Sequence, residues 1–143
     1  NVVALIADIA DAVVAALNNQ TFSQPFTAER AYRAAFDLQE MKDLHVTVVP
    51  KGQELITAGR GVAQSDVQIE IGVQKKLATG DDAELDELMG LVQEIAEFVR
   101  TTRQFGDAAW VKTENTPIYS QEHLGELRQF TSVLTLTLRM MTT

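Results

Sequence analysis

At 143 residues the chain has the length of one ordinary domain, enough to bury about two thirds of its unfolded surface without covalent staples. It contains no cysteine, which excludes disulfides and thiolate metal sites and fits a reducing compartment. A formal charge of −8 argues against general duplex binding, which needs clustered Lys and Arg, and suits a surface that must not adhere to DNA.

The chain opens on Asn1, which suggests a trimmed first residue. Residues 2–17 read as the first helix, with Leu5, Ile9, Ala12, Val13, Ala16 and Leu17 on one stripe at helical spacing. Val2, Val3, Ile6 and Val14 widen that stripe beyond what one sheet face requires, so the helix is expected to be buried on several sides or against another subunit. Asp8 and Asp11 interrupt the run, no basic segment precedes it, and it is short for a bilayer crossing. Asn18 and Asn19 end it, Asn being tolerated in the left-handed conformation at helix ends.

Residues 20–25 form a loop, anchored by Phe22 and Phe26. In residues 27–37 (TAERAYRAAFD) the alternate positions Ala28, Arg30, Tyr32, Ala34 and Phe36 read as one face of a strand. Residues 37–43 then make a short helical turn capped by Asp37. Residues 44–49 (LHVTVV) are β by composition and are expected to stop at Pro50. Residues 54–58 (ELITA) form a further short strand, broken by Gly59, Arg60 and Gly61.

Residues 66–77 (DVQIEIGVQKKL) carry the clearest pattern, with Val67, Ile69, Ile71 and Val73 alternating with Gln68, Glu70, Gly72 and Gln74. That period of two marks a strand with one buried and one wet face. Thr79 and Gly80 close it. The second main helix starts at Asp81, with Glu84 three residues on in a variant of the capping box. Its apolar face is Leu85, Leu88, Met89, Val92, Ile95, Ala96 and Val99. Asp82, Glu84, Asp86 and Glu87 crowd its start and Arg100 and Arg103 its end, as the helix dipole favours.

After a linking stretch at 104–108, residues 109–114 (AWVKTE) form a strand ended by Asn115, Thr116 and Pro117. A turn or short helix lies around Ser120 and Leu124. Residues 129–141 are the last strand, with Phe130, Leu134, Leu136, Leu138 and Met140 on one face and Thr131, Thr135, Thr137 and Arg139 on the other. The expected order is α-β-β-β-β-α-β-β in a single domain, 1–143. Strands in blocks rather than in alternation with helices predict an α+β fold, a mainly antiparallel sheet of about six strands packed by two main helices.

The chemistry-bearing residues form no recognisable frame. His45 and His123 are the only histidines, and no HExxH or His/Asp spacing accompanies them, so packing or surface roles are expected. Gly59, Arg60 and Gly61 lack a phosphate-loop frame and read as a turn. Lys75 with Lys76, and Arg30 with Arg33, are isolated basic pairs, read as solvation or edge protection. The carboxylates Asp81, Asp82, Glu84, Asp86 and Glu87 read as a solvated helix start. Ser23, Ser65, Ser120 and Ser132 sit in no nucleophile-elbow frame. No catalytic residue, metal site or cofactor is expected. The one enzymatic alternative joins His123 to Glu122 and Glu126.

The succession of an N-terminal helix, SQPFTAERAY, DLQEMKDLHVTVVPKG, DVQIEIGVQKKL leading into an acidic-start helix, and the late FTSVLTLTL strand resembles small proteins encoded among phage tail-module genes. Their layout is similar to that of the tail terminator (tail completion) proteins of long-tailed bacteriophages. The likeness spans nearly the whole chain and lies in element order and these phrases, with no signature motif.

What it implies is a subunit without an active site that assembles into a ring, usually hexameric, in the neck of the virion. Such a ring caps the tail tube and docks to the head–tail connector or stopper, and DNA passes through its lumen without specific binding. The implied place is the virion, with assembly in the host cytoplasm and no membrane. A loop reaching toward the tube is not obvious; only residues 53–64 and 104–108 can serve. A head–tail connector or adaptor is the near alternative, and a small α+β ligand-binding module the more distant one.

Overall fold

The alternation in residues 66–77 becomes the centre of the molecule. Val67, Ile69, Ile71 and Val73 are fully buried on one face of strand β3 (Val62–Lys76), between β2 (His45–Gly59) and β6 (Gln129–Thr142). The computed structural model describes residues 5–31, 44–116 and 118–142. The remaining elements are α1 (Leu5–Asn18), β1 (Ala28–Arg30), α2 (Asp82–Thr102), β4 (Gln104–Phe105), β5 (Ala108–Glu114) and α3 (Gln121–Leu127).

The six strands form one sheet in the order β1-β2-β3-β6-β5-β4. Every pairing is antiparallel except β1 with β2. The register aligns Val46, Val73 and Ser132 in one row, Val48, Ile71 and Leu134 in the next, and Ile69 with Leu136 beyond. One face is therefore apolar, and α1 and α2 cover it. Ile9, Ala10, Val13 and Leu17 of α1 join Leu88, Leu91, Val92, Ile95 and Val99 of α2 in the same core. The expected α+β class and mainly antiparallel sheet are what the fold shows.

Helix α1 lies over β1 and β2, and α2 over β5 and β6. The sheet curls far enough for β4, at its other edge, to reach α1: a methyl group at Gly106 would meet Ala12 Cβ at 3.8 Å. Phe22 stacks on Phe26 with centroids 5.2 Å apart and meets Phe98 of α2 edge-on at 5.6 Å, anchoring the loop after α1 as expected.

Several expectations need correction. Pro50 does not stop its strand. β2 runs on to Gly59 as one element, absorbing both anticipated strands, with a register shift between Pro50 and Gly52. Proline is tolerated there because β1 covers β2 only at Val46–Val48; beyond that, among the described residues, β2 is the sheet edge. The linking stretch at 104–108 holds strand β4 and a tight turn into β5, with Phe105 buried and Gly106 at φ 60°.

Asn18 does not adopt the left-handed conformation. Its side chain pairs with the backbone of Ala28, accepting from the N–H at 2.7 Å and donating to the carbonyl at 3.1 Å. The described strand after the loop is short, Ala28–Arg30. Tyr32, Ala34, Phe36, the expected turn of helix at 37–43, Arg33, and Val2 and Val3 lie outside the described residues.

Candidate functional site

The corner between β3 and α2 is built around Glu84. Asp81 caps the helix by accepting from the Glu84 N–H at 2.9 Å. The Glu84 carboxylate, instead of closing a simple capping box, accepts from the backbone N–H groups of Ala78, Thr79 and Gly80 at 2.9, 3.0 and 2.9 Å. It also meets Lys75 Nζ at 3.3 Å, with its side chain only 11% exposed. Burial works against the charge, but these donors outweigh it and hold the carboxyl at about 2. The expectation of a uniformly solvated acidic start therefore fails at Glu84, whose anion binds its own chain, while Asp82, Asp86 and Glu87 are exposed.

The sheet face turned away from α1 and α2 is polar. Cross-strand rows carry Val49, Glu70, Thr135 and Glu114; then Gly52, Gln68, Thr137 and Lys112; then Glu54, Asp66, Arg139 and Ala109. The second and third rows enclose a trough of about 330 Å³ with Gln53. Most of the charges on this face pair with one another. Arg139 donates to Asp66 at 2.9 and 3.2 Å, and that bond holds the Asp66 carboxyl below its ordinary range. Lys51 meets Glu70 at 3.4 Å. Lys112 meets Glu114 at 2.9 Å, and chiefly through that bond the Glu114 carboxyl is lowered, with a smaller contribution from Lys51. Carboxylates held as anions by cations are poor proton carriers near neutral pH.

On the same face, one row carries His45 and receives the side chain of His123 from α3. His45 lies opposite Gln74, Gln74 opposite Thr131, and His123 Nδ1 is 2.9 Å from Thr131 Oγ1. Among the described residues no group of His, Asp and Glu is placed to hold a metal ion. Glu122 stands exposed in the first turn of α3, and the side chain of Glu126 is not among those described.

The serines have structural partners or burial. Ser23 binds Glu94, and Ser120 caps α3 by accepting from the His123 N–H at 3.2 Å. Ser132 donates to the Ile118 carbonyl at 2.6 Å, and Ser65 is buried. Arg30 pairs with Asp11 at 3.0 Å, and Gly59, Arg60 and Gly61 make the β2–β3 turn, with Gly61 at φ 75°.

On the helical side, α2 and β5 flank a cleft of about 410 Å³. Met89, Val92, Ala96, Trp110 and Leu134 line it, with Ile118 exposed beside it. Among the described residues two sheet margins are also uncovered. β2 is exposed almost continuously through residues 51–60. Among the described residues, β5 is bonded on its outer side only at its start, through β4 and through the Trp110 N–H to the Arg103 carbonyl. Leu55 and Ile56 on the first margin and Val111 on the second are exposed large apolar residues, 67%, 40% and 36% accessible. Sequence periodicity missed these margins because openness depends on how far β1 and β4 extend, which is a property of pairing.

No protein-family model matches the chain, and no curated protein matches it in sequence.

Proposed function

We propose that the chain is a structural ring subunit of a tailed bacteriophage, a tail terminator that closes the tail tube and joins it to the head connector. The observation that carries the reading is the pair of open sheet margins bearing Leu55, Ile56 and Val111. Exposed apolar residues on unpaired strands favour strand addition from another chain. A sheet open at two unlike margins has the two different patches that a head-to-tail ring requires. Helix α1 contributes less to that surface than its composition suggested, since Ile9, Ala10, Val13 and Leu17 pack inside their own copy. The element order agrees with the layout that the resemblance implies. The acidic balance of −8 suits a lumen through which DNA slides without adhering.

The test is sedimentation of the protein over a wide concentration range. A closed species several times the 15.8 kDa chain, hexameric by the resemblance, supports the reading. A monomer at all concentrations opposes it. A second reading, a small ligand-binding module, is favoured by the 410 Å³ cleft beside α2. It predicts a monomer that gains thermal stability with an apolar small molecule, and loses that gain on Trp110→Ala.

A further inference from the structure

We propose that the cleft between α2 and β5 binds a small uncharged ring compound that carries an N–H donor beside a carbonyl acceptor. This goes beyond the ring reading and deepens the second one, the ligand-binding module, on which it rests. The site begins with an irregularity in β5. Its ladder to β6 slips between Trp110 and Lys112, so Trp110 lies opposite Leu138 and Thr113 opposite Leu136. Strict alternation would set residues three apart on opposite faces. The extra residue puts both on the helical face, that of the core residues Leu136 and Leu138. Trp110 Nε1 then donates to Thr113 Oγ1 at 2.8 Å.

Three features define the ligand. The cleft encloses about 410 Å³ over Val92, Ala96 and Leu134, a volume and lining suited to a small molecule with an apolar body. Two polar groups beside that lining are fixed and have bonding capacity left. Asn115 is held by its amide nitrogen, which donates to Ser132 Oγ at 3.0 Å and to the Val133 carbonyl at 2.8 Å. Its amide oxygen accepts from no donor among the described residues. Thr113 Oγ1 accepts from Trp110, which polarises its own O–H, and that proton meets no acceptor among the described residues. Asn115 therefore offers an acceptor and Thr113 a donor, both already ordered, so a ligand gains their bonds at little cost in freedom. The third feature is charge. Glu97 and Arg100, which also border the cleft, pair with each other at 2.8 Å, so the site favours a neutral ligand over an ion.

The chain has one tryptophan, so a single indole N–H resonance reports on the cleft. The experiment titrates the full chain with carbostyril, a fused ring lactam bearing both groups, and with naphthalene, the same ring shape bearing neither. Carbostyril is expected to shift the Trp110 resonance saturably and to bind roughly tenfold or more tighter than naphthalene, from two hydrogen bonds worth roughly twofold to tenfold each. Thr113→Val keeps the shape of the side chain and should cut that ratio severalfold while leaving naphthalene binding unchanged. Asn115→Leu should also cut the ratio. Because both compounds are measured on the same protein, a general loss of stability does not move the ratio.

Equal affinities for the two compounds, or a preference that survives both substitutions, would overturn the inference and leave the second reading standing. No shift with either compound would remove both. A Trp110 resonance that moves with protein concentration alone would place a second copy in the cleft and overturn the inference as well. The ring reading is decided separately, by sedimentation.

Discussion

Glu84 shows how one side chain can hold a corner of the fold. Three backbone N–H groups and Lys75 converge on its carboxylate, and the carboxyl sits at about 2 against an ordinary 4.5. A lowered folded value means stability that is present above pH 4.5 and lost as pH falls toward 2. Glu84→Gln is expected to cost about 1–3 kcal/mol at neutral pH in urea unfolding, and to flatten the loss of stability between those two values. Equal stability of the two proteins at pH 7 would contradict this. Gln74 presents the opposite case. It is 1% exposed, and neither its amide nitrogen nor its amide oxygen has a hydrogen-bond partner among the described residues. Gln74→Met keeps the volume and removes the desolvation penalty, so it should raise stability by about 1 kcal/mol. A loss of that size would show that the amide is satisfied in solution.

At the scale of elements, long periodic segments were legible and pairings between distant segments were not. The faces of β3 and β6 follow directly from alternation at Val67–Val73 and Phe130–Met140. Leu91 could have been found by counting from Leu88, since 88, 91, 92, 95 and 99 are successive positions on one helical face. Leu91→Ala is expected to cost about 2–5 kcal/mol, measured by chemical unfolding, because the vacated space lies under the sheet. A cost under about 1 kcal/mol would place Leu91 outside the core.

The continuation of β2 through Pro50 could not be read locally. It depends on β1 ending at Arg30, which, among the described residues, leaves Pro50 on an edge. Strand β4 is too short to carry a period. Asn18 is a third example, because its value lies in matching Ala28 across the loop that Phe22 and Phe26 hold. Asn18→Ala removes both bonds and should cost about 1–3 kcal/mol. Amide exchange at Ala28 should quicken before the rest of the sheet does. The histidines, read as packing or surface residues, both reach the row of Gln74 and Thr131, His45 through the register and His123 of α3 through its side chain. No spacing in the chain signals that. The candidate surface was not legible, because placing open margins on β2 and β5 required the strand order.

For the whole molecule, α1 and α2 cover one face of the sheet, and most charges on the other face pair. The exposed large apolar residues among those described are Leu55, Ile56 and Val111 at strand margins, Ile118 beside the cleft and Met141 in β6. Under the proposed ring reading, a neighbouring copy of the chain covers the exposed margins. The most direct measurement is the mass of the native protein by sedimentation equilibrium from dilute to concentrated solution. The account predicts passage to one closed multimer of the 15.8 kDa chain, with dimers and trimers only as minor species. A single monomeric mass throughout, or a stable dimer that grows no further, contradicts it.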